Sequence, residues 1–362
     1  MLLVEEELSG ILEKRLSGGR ISKEEAYRLL LSGSLFSLGE AADRLREKSC
    51  GDRVSYVVNR NINFTNICTG SCSFCAYRVR KGDPSGYLMS HERILRLVEE
   101  AVAVGATEVC IQGGLNPDIG IDYYTGMLET ITSSFDIHIH AFSPMEVFYM
   151  AEKSGLGIAE TLRLLKEKGL GSMPGTAAEI LDREVREEIC PRKITAEEWV
   201  DIVKTAHHLG IPTTATMLYG HVERPEHRIN HLDIIRRIQD ETGGFTEFVP
   251  LSFVHYNTPL GKANPEAHGA SGLEDLMVHA ISRLFLDNIP NIQASWVKLG
   301  WKLAQTALFF GANDLGGTLM DESISRAAGQ KVSMMDEAQM RRLIEDVGRK
   351  PARRDTLYRF LE

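Results

Sequence analysis

Long apolar runs are missing from this chain: no uninterrupted stretch approaches the ~20 residues that a membrane-spanning helix needs, so no membrane is expected among its partners. A surplus of positive charge is missing too. Lysine and arginine number 41 against 50 aspartates and glutamates, a net charge of −9, and no basic stripe suited to a phosphate backbone breaks that balance, which excludes nucleic acid. Cysteine is scarce, six in 362 residues, too few for a disulfide scaffold. The opening MLLVEEEL is acidic where a secretory signal would be basic, so the expected location is the cytoplasm. What remains, 43% apolar and 25% charged residues, is ordinary globular composition.

The first fifty residues carry helical signals, among them the capping box Ser22-x-x-Glu25 followed by Ala26, Leu29 and Leu30 at helical spacing. From Tyr56 onward short strand-like runs alternate with amphipathic helices. The runs are Tyr56–Phe64, Glu108–Gln112, Ile137–Phe142, Leu170–Met173, Thr213–Tyr219, Thr246–Leu251, Ile292–Val297 and Asn313–Thr318. Helices such as Arg93–Val104, Ala196–Leu209, Pro225–Glu241 and Leu273–Leu286 separate them. About eight such units over ~260 residues predict an α/β fold, a closed (β/α)8 TIM-type barrel. An open doubly wound sheet would use fewer strands and put phosphate-binding glycines in its first turn, where this chain has cysteines. The expected organisation is a helical layer over 1–50, the barrel over 51–320 and a helical extension over 321–362, with Asp336–Val347 a surface helix. In that extension Met334 and Met335 read as packing residues, and Arg349, Lys350, Arg353 and Arg354 as a solvated basic end.

Half of the cysteines fall together. Cys68, Cys72 and Cys75 form C-x3-C-x2-C directly after the first strand, at the barrel face where such enzymes place their chemistry. Three thiolates on one tight loop suit three corners of a cubane iron–sulfur cluster, with Gly70, Ser71 and Ser73 small enough to let the backbone wrap it. Structural zinc takes the same ligands but needs a fourth, and no second pair follows nearby. Cys50, Cys110 and Cys190 stand alone and read as small buried hydrophobes.

This cysteine spacing, with Phe74 before the last cysteine, resembles the radical S-adenosylmethionine (SAM) superfamily. The resemblance implies a [4Fe–4S] cluster whose open iron chelates S-adenosylmethionine, and a one-electron donor that reduces it. It also implies further cofactor contacts. Gly113 and Gly114 stand where the superfamily has Gly-Gly-Glu, with Leu115 in place of the carboxylate. Leu218, Gly220 and Glu223 match an adenine-contacting pattern whose first glycine is here Thr216. Glu179, at the start of an expected helix, suits the ribose hydroxyls, or equally serves as a first-turn charge complementing the helix dipole.

Over roughly residues 55–330 the segments IHIHAFSPMEV, SMPGTAAEIL, GIPTTATMLYGHVE, FTEFVPLSFVHYNTPL and NIQASWVKLG resemble the 4-hydroxybenzyl-transferring subunit of FO synthase. That family takes L-tyrosine and 5-amino-6-(D-ribitylamino)uracil. Its resemblance implies hydrogen abstraction from the tyrosine amine, Cα–Cβ cleavage to 2-iminoacetate and a 4-hydroxybenzyl radical, and addition of that radical to carbon 5 of the uracil. A second radical enzyme, the partner subunit of FO synthase, then closes the deazaflavin of coenzyme F(420). An alternative keeps the radical chemistry but assigns it to the futalosine route to menaquinone, as cyclase or aminofutalosine synthase.

Residue types along the strand ends supply candidates for the reaction. His138 and His140 share one strand face by period-two alternation, with Ser143 just beyond, and serve as proton acceptors or substrate hydrogen-bonders if that face is the lumen. Were the face turned to the helices, they would be satisfied core residues. Asn59, Asn61 and Asn63 alternate on the first strand as candidate ligands of the ribityl chain or the pyrimidine edge. His255 and Asn257, Gln293 and Ser295, and Asn313 and Asp314 follow at later strand ends, where hydrogen bonding between strands is the other reading. Trp296 and Phe310 read as core.

Overall fold

The computed structural model describes residues 2–331 and 334–361. Eight strands occur among them: β1 Arg53–Val57, β2 Asn59–Asn63, β3 Glu108–Gln112, β4 His138–Ala141, β5 Thr213–Tyr219, β6 Phe245–Ser252, β7 Asp314–Gly317 and β8 Lys350–Arg353. Parallel pairing joins β7 to β1, β2 to β3 to β4, and β5 to β6. Parallel single bridges complete the circuit, His140 to Ser172, Met173 to Thr213, Phe248 to Ile292 and Gln293 to Asp314. With β1 and β2 read as one stave and 172–173 and 292–293 as two short ones, the ring closes. It is the expected eight-stave α/β barrel. Because every stave runs the same way, the loops after the strands gather on one face.

Local sequence explains the covering helices. His91–Ala103 is capped by the Ser90 hydroxyl on the Arg93 amide and buries Ile94, Leu97, Val98 and Ala101 at helical spacing against the barrel. The strand β5, TTATMLY, is buried along its whole length and rich in β-branched residues, as a central barrel strand should be. Ahead of the barrel, helices Leu2–Leu16, Lys23–Leu31 and Leu35–Cys50 form the expected layer, and the Ser22–Glu25 capping box is present. Leu35–Cys50 lies on helix Gly272–Phe285, and a β-carbon at Gly39 would stand 2.6 Å from the Phe310 ring, so glycine sets that close approach.

Several expectations are corrected. The first stave divides at Val58, because β1 is flanked by β7 and β8 while β2 takes β3 as its neighbour. The runs at Leu170–Met173 and Ile292–Val297 are bridges, not full strands, and the second turns into helix Trp296–Leu299. The segment after residue 320 holds helices Ser323–Ala327 and Glu337–Glu345 but ends in β8, parallel to β1 from Arg53 to Tyr56. Its basic end is not a uniformly solvated surface: Lys350 is exposed, whereas Arg354 is buried and its guanidinium pairs with Asp314 at 2.6 Å. Met335 is buried as expected, but Met334 is exposed. Trp296 and Phe310 are buried as expected.

Candidate active site

The cysteine loop follows β2 and is tied down from every side. The Cys68 amide donates to the Val79 carbonyl at 3.0 Å, the Thr69 amide to Leu115 at 3.0 Å and the Ser73 amide to Ile189 at 2.8 Å. Around Gly70 the sulfurs converge: its amide donates to Cys68 Sγ at 3.3 Å, and a β-carbon there would lie 3.2 Å from Cys68 Sγ and 3.9 Å from Cys72 Sγ. Gly114 is equally constrained, since a β-carbon would stand 2.3 Å from the Ile67 carbonyl oxygen. Only glycine lets the loop after β3 lie against the cysteine loop. The three cysteines, Phe74, Gly113, Gly114 and Glu179 line one chamber of about 260 Å³ at the loop face of the barrel. The Lys193 ammonium pairs with Glu179 and sits 5.3 Å from the Phe74 ring centre. Burial pushes the Cys72 thiol up to about 12, and a cationic centre bound there would favour the thiolate.

A second chamber of about 240 Å³ occupies the lumen below, lined by Asn59, Asn61, Asn63, His140, Gln293 and Ser295. Asn63, Gln112, Thr176 and Ile324 line both chambers, so the two adjoin. Together they are on the ~300–1,000 Å³ scale of small-molecule sites. Three carboxylates sit in the lower wall: Glu108 accepts from Asn59 Nδ2 at 2.8 Å, Glu247 from the Tyr358 hydroxyl at 2.6 Å and Glu322 from Asn61 Nδ2 at 3.0 Å. Burial pushes the Glu247 carboxyl up to about 7 despite the nearby Arg354 guanidinium. His140 is fully buried and burial pushes it down to about 4, so it is neutral at neutral pH. His138 Nε2 and His140 Nδ1 both meet Ser172 Oγ at 2.7 Å. A hydroxyl has one proton to give, so one ring accepts from Ser172 and the other donates to it.

A radical SAM superfamily sequence model matches residues 62–235, and that of the CofH/MqnC C-terminal region matches residues 242–362. A protein of Methanothermobacter thermautotrophicus is 54% identical over 347 residues, covering 94% of this chain and 95% of its own. One of Methanocaldococcus jannaschii is 54% identical over 349 residues, covering 94% and 97%. Both are named 5-amino-6-(D-ribitylamino)uracil–L-tyrosine 4-hydroxyphenyl transferase. The chain belongs to this family of radical SAM transferases. Its fold is shared at low identity by methylornithine synthase, at 21% identity and a TM-score of 0.75 with 95% and 97% of the two chains covered. The hydrogenase maturase HydG from Carboxydothermus hydrogenoformans shares it at 18% identity and a TM-score of 0.77, with 98% and 81% covered.

Radical SAM enzymes use a [4Fe–4S] cluster and S-adenosylmethionine, and the residues of this transferase fit both. Cys68, Cys72 and Cys75 offer three sulfurs on one loop, those of Cys68 and Cys72 close about Gly70, next to a chamber with bare backbone at Gly113 and Gly114. Other expected residues stand elsewhere. Glu179 precedes no helix directly; it lies at φ +46°, before helix Arg183–Ile189 begins, so the helix-dipole reading falls. Leu218, Gly220 and Glu223 line neither chamber. Glu223 is instead fully enclosed, accepting from the Gly220 and His221 amides at 2.6 and 2.9 Å and from Arg228 Nε at 2.7 Å, so it braces the loop after β5.

The substrate candidates divide in the same way. His138 and His140 do share the inward face, but only His140 reaches the lumen; the His138 ring lies against Gly171. Ser143 lines the upper chamber rather than the lumen, and its hydroxyl caps helix Pro144–Ser154. His255 and Asn257 line neither chamber, and the Asn257 amide is spent on the Ala327 carbonyl at 3.0 Å. Asn313 and Asp314 are buried between staves: Asn313 Oδ1 accepts from Arg283 at 2.7 Å and Asp314 from Arg354 at 2.6 Å. Sequence reasoning missed Glu108, Gln112, Thr176, Glu247 and Lys298, all on the chamber walls. Period-two alternation within β3 held the signal for Glu108, Cys110 and Gln112, and Cys110, read as a buried hydrophobe, faces the lumen with them.

Proposed function

We propose that this chain couples the 4-hydroxybenzyl group of L-tyrosine to 5-amino-6-(D-ribitylamino)uracil, releasing 2-iminoacetate, in biosynthesis of the deazaflavin FO. The observation that carries this reading is 54% identity across nearly the full length of relatives named for that reaction. The futalosine alternative gains nothing from the C-terminal sequence match, whose description spans both kinds of enzyme. When bound, the reduced cluster and S-adenosylmethionine supply the 5'-deoxyadenosyl radical.

The chain's own residues divide the remaining work between the chambers. The upper one presents Gly113 and Gly114 backbone, Phe74 and Glu179 to the cofactor, while Cys68, Cys72 and Cys75 hold the cluster. The lower one presents amide side chains, Asn59, Asn61, Asn63 and Gln293, with Ser295, to a polar planar ring and its polyol chain. Neutral His140 is a hydrogen-bonding partner for substrate there, because burial keeps its imidazole uncharged. Enclosure by the barrel keeps water from the benzyl radical. The reading includes a one-electron donor, a second radical SAM subunit that consumes the adduct, and residence in the reducing cytoplasm. Among the described residues no helix is long and apolar enough to cross a membrane.

Anaerobic protein given reductant, S-adenosylmethionine, ring-labelled tyrosine and the diaminouracil should yield 5'-deoxyadenosine and a product carrying the labelled ring. Turnover of a futalosine substrate with tyrosine left intact would sink the reading.

A further inference from the structure

The lower chamber has two cationic side chains in its wall, Arg354 and Lys298. Arg354 is saturated: Nε and Nη2 reach Asp314 at 2.6 and 3.1 Å, Glu247 lies 3.6 Å away, and the guanidinium covers the Tyr358 ring at 3.9 Å. Lys298 is different. Its ammonium makes one hydrogen bond, to Ser325 Oγ at 2.8 Å, and no carboxylate among the described residues comes within 4.0 Å. The acids in its neighbourhood are already engaged, Glu322 by the Ser325 amide at 2.9 Å and Asn61 Nδ2 at 3.0 Å, and Glu179 by Lys193. An enclosed ammonium carries three donors, and one is used here.

We infer that Lys298 is the anchor for the carboxylate of the amino-acid substrate, holding it where the two chambers meet. The inference rests on the proposed reaction, since it takes tyrosine as the bound amino acid. An ammonium in a chamber wall with two donors to spare is matched by an incoming carboxylate, which accepts those bonds and pairs its charge. Burial lowers the Lys298 pKa while the Glu322 and Glu179 carboxylates raise it, so a carboxylate seated against the ammonium would favour its charged form. Its place suits the chemistry. Ser325, the ammonium's partner, follows Ile324, which lines both chambers. Carboxylate and amine share one carbon, so anchoring the first at Lys298 keeps the second beside the boundary with the cofactor chamber. The amine is the group from which the reaction takes hydrogen. Lys298 thereby selects substrates bearing an α-carboxylate and positions the bond to be cleaved.

Calorimetric binding of L-tyrosine and of tyramine, which lacks the carboxylate, to the anaerobic protein loaded with cluster and S-adenosylmethionine tests this. The wild type should bind tyrosine on the order of 100-fold more tightly than tyramine. Lys298→Met should lose most of that preference while keeping its iron content and its affinity for the diaminouracil, and Lys298→Arg should keep part of it. Equal affinity of the wild type for the two ligands, or a Lys298→Met protein that still discriminates between them, overturns the assignment without touching the proposed reaction. If the wild type neither binds nor consumes tyrosine, the reaction itself is wrong and the anchor falls with it.

Discussion

Gly114 shows how little freedom surrounds the proposed cluster ligands. A single methyl group there would meet the Ile67 carbonyl oxygen at 2.3 Å and Cys68 Cβ at 2.9 Å, both on the loop that must hold three sulfurs in place. Neither neighbour is a flexible side-chain end, so the backbone has to move. Gly114→Ala should therefore lower iron per chain after anaerobic reconstitution and reduce unfolding free energy by about 1–3 kcal/mol; full iron occupancy would contradict the packing argument. Cys68, Cys72 and Cys75 were legible at this scale because their chemistry depends on spacing along the chain. Lys298 was not, because what distinguishes it is a missing counter-ion, and that depends on which acids other segments bring near it and which of those are already paired.

At the level of elements, β8 has the largest consequence. The strand lies along β1, and the residues after it carry Arg354 to the lumen wall, where its guanidinium neutralises Asp314, whose side chain is fully buried. Replacing Arg354 by methionine would leave that carboxylate, and Glu247 beside it, without compensation. The expected cost is about 3–5 kcal/mol, the usual penalty for breaking a buried pair from one side. Denaturant unfolding of Arg354→Met measures it; a loss below 1 kcal/mol would show that water, not the guanidinium, satisfies those acids. The basic run RRD invites a surface reading because a lone charge pattern carries no record of its partner. Asp314, 40 residues earlier, supplies it.

For the whole molecule, acid should be more damaging than the net charge suggests. Burial pushes His140 and His207 down to about 4 and His231 to about 3, and the same cause lowers His138, His221 and His279. In the unfolded chain each titrates near 6.5, so as pH falls from 6 to 4 the unfolded state binds protons that the fold refuses, and stability drops. Glu146 and Glu247, raised by burial to about 7, act in the opposite sense. Their contribution is complete below about 4.5 and is lost as pH rises through 7. Asp275, also raised by burial, joins them; six lowered histidines outweigh three raised carboxylates, so the urea midpoint should be lower at pH 4 than at pH 6. An unchanged or higher midpoint at pH 4 would mean that the histidines are solvated.

The sequence by itself determined the cysteine triad, the alternation of strands and helices that closes the barrel, and the helix caps such as Ser22 and Glu25, because each is set by spacing within one segment. Only the tertiary structure decided which polar residues share the lumen: His140 and not His138, Gln293 and not Asn313, Cys110 with Glu108 and Gln112. Local alternation selects a face of a strand, but depth along the lumen and the partner that saturates a group depend on distant segments, such as Leu319 on Asn59, 260 residues away. Pairing across such distances is fixed by closure of the ring, in which each stave's register is set by its two neighbours together.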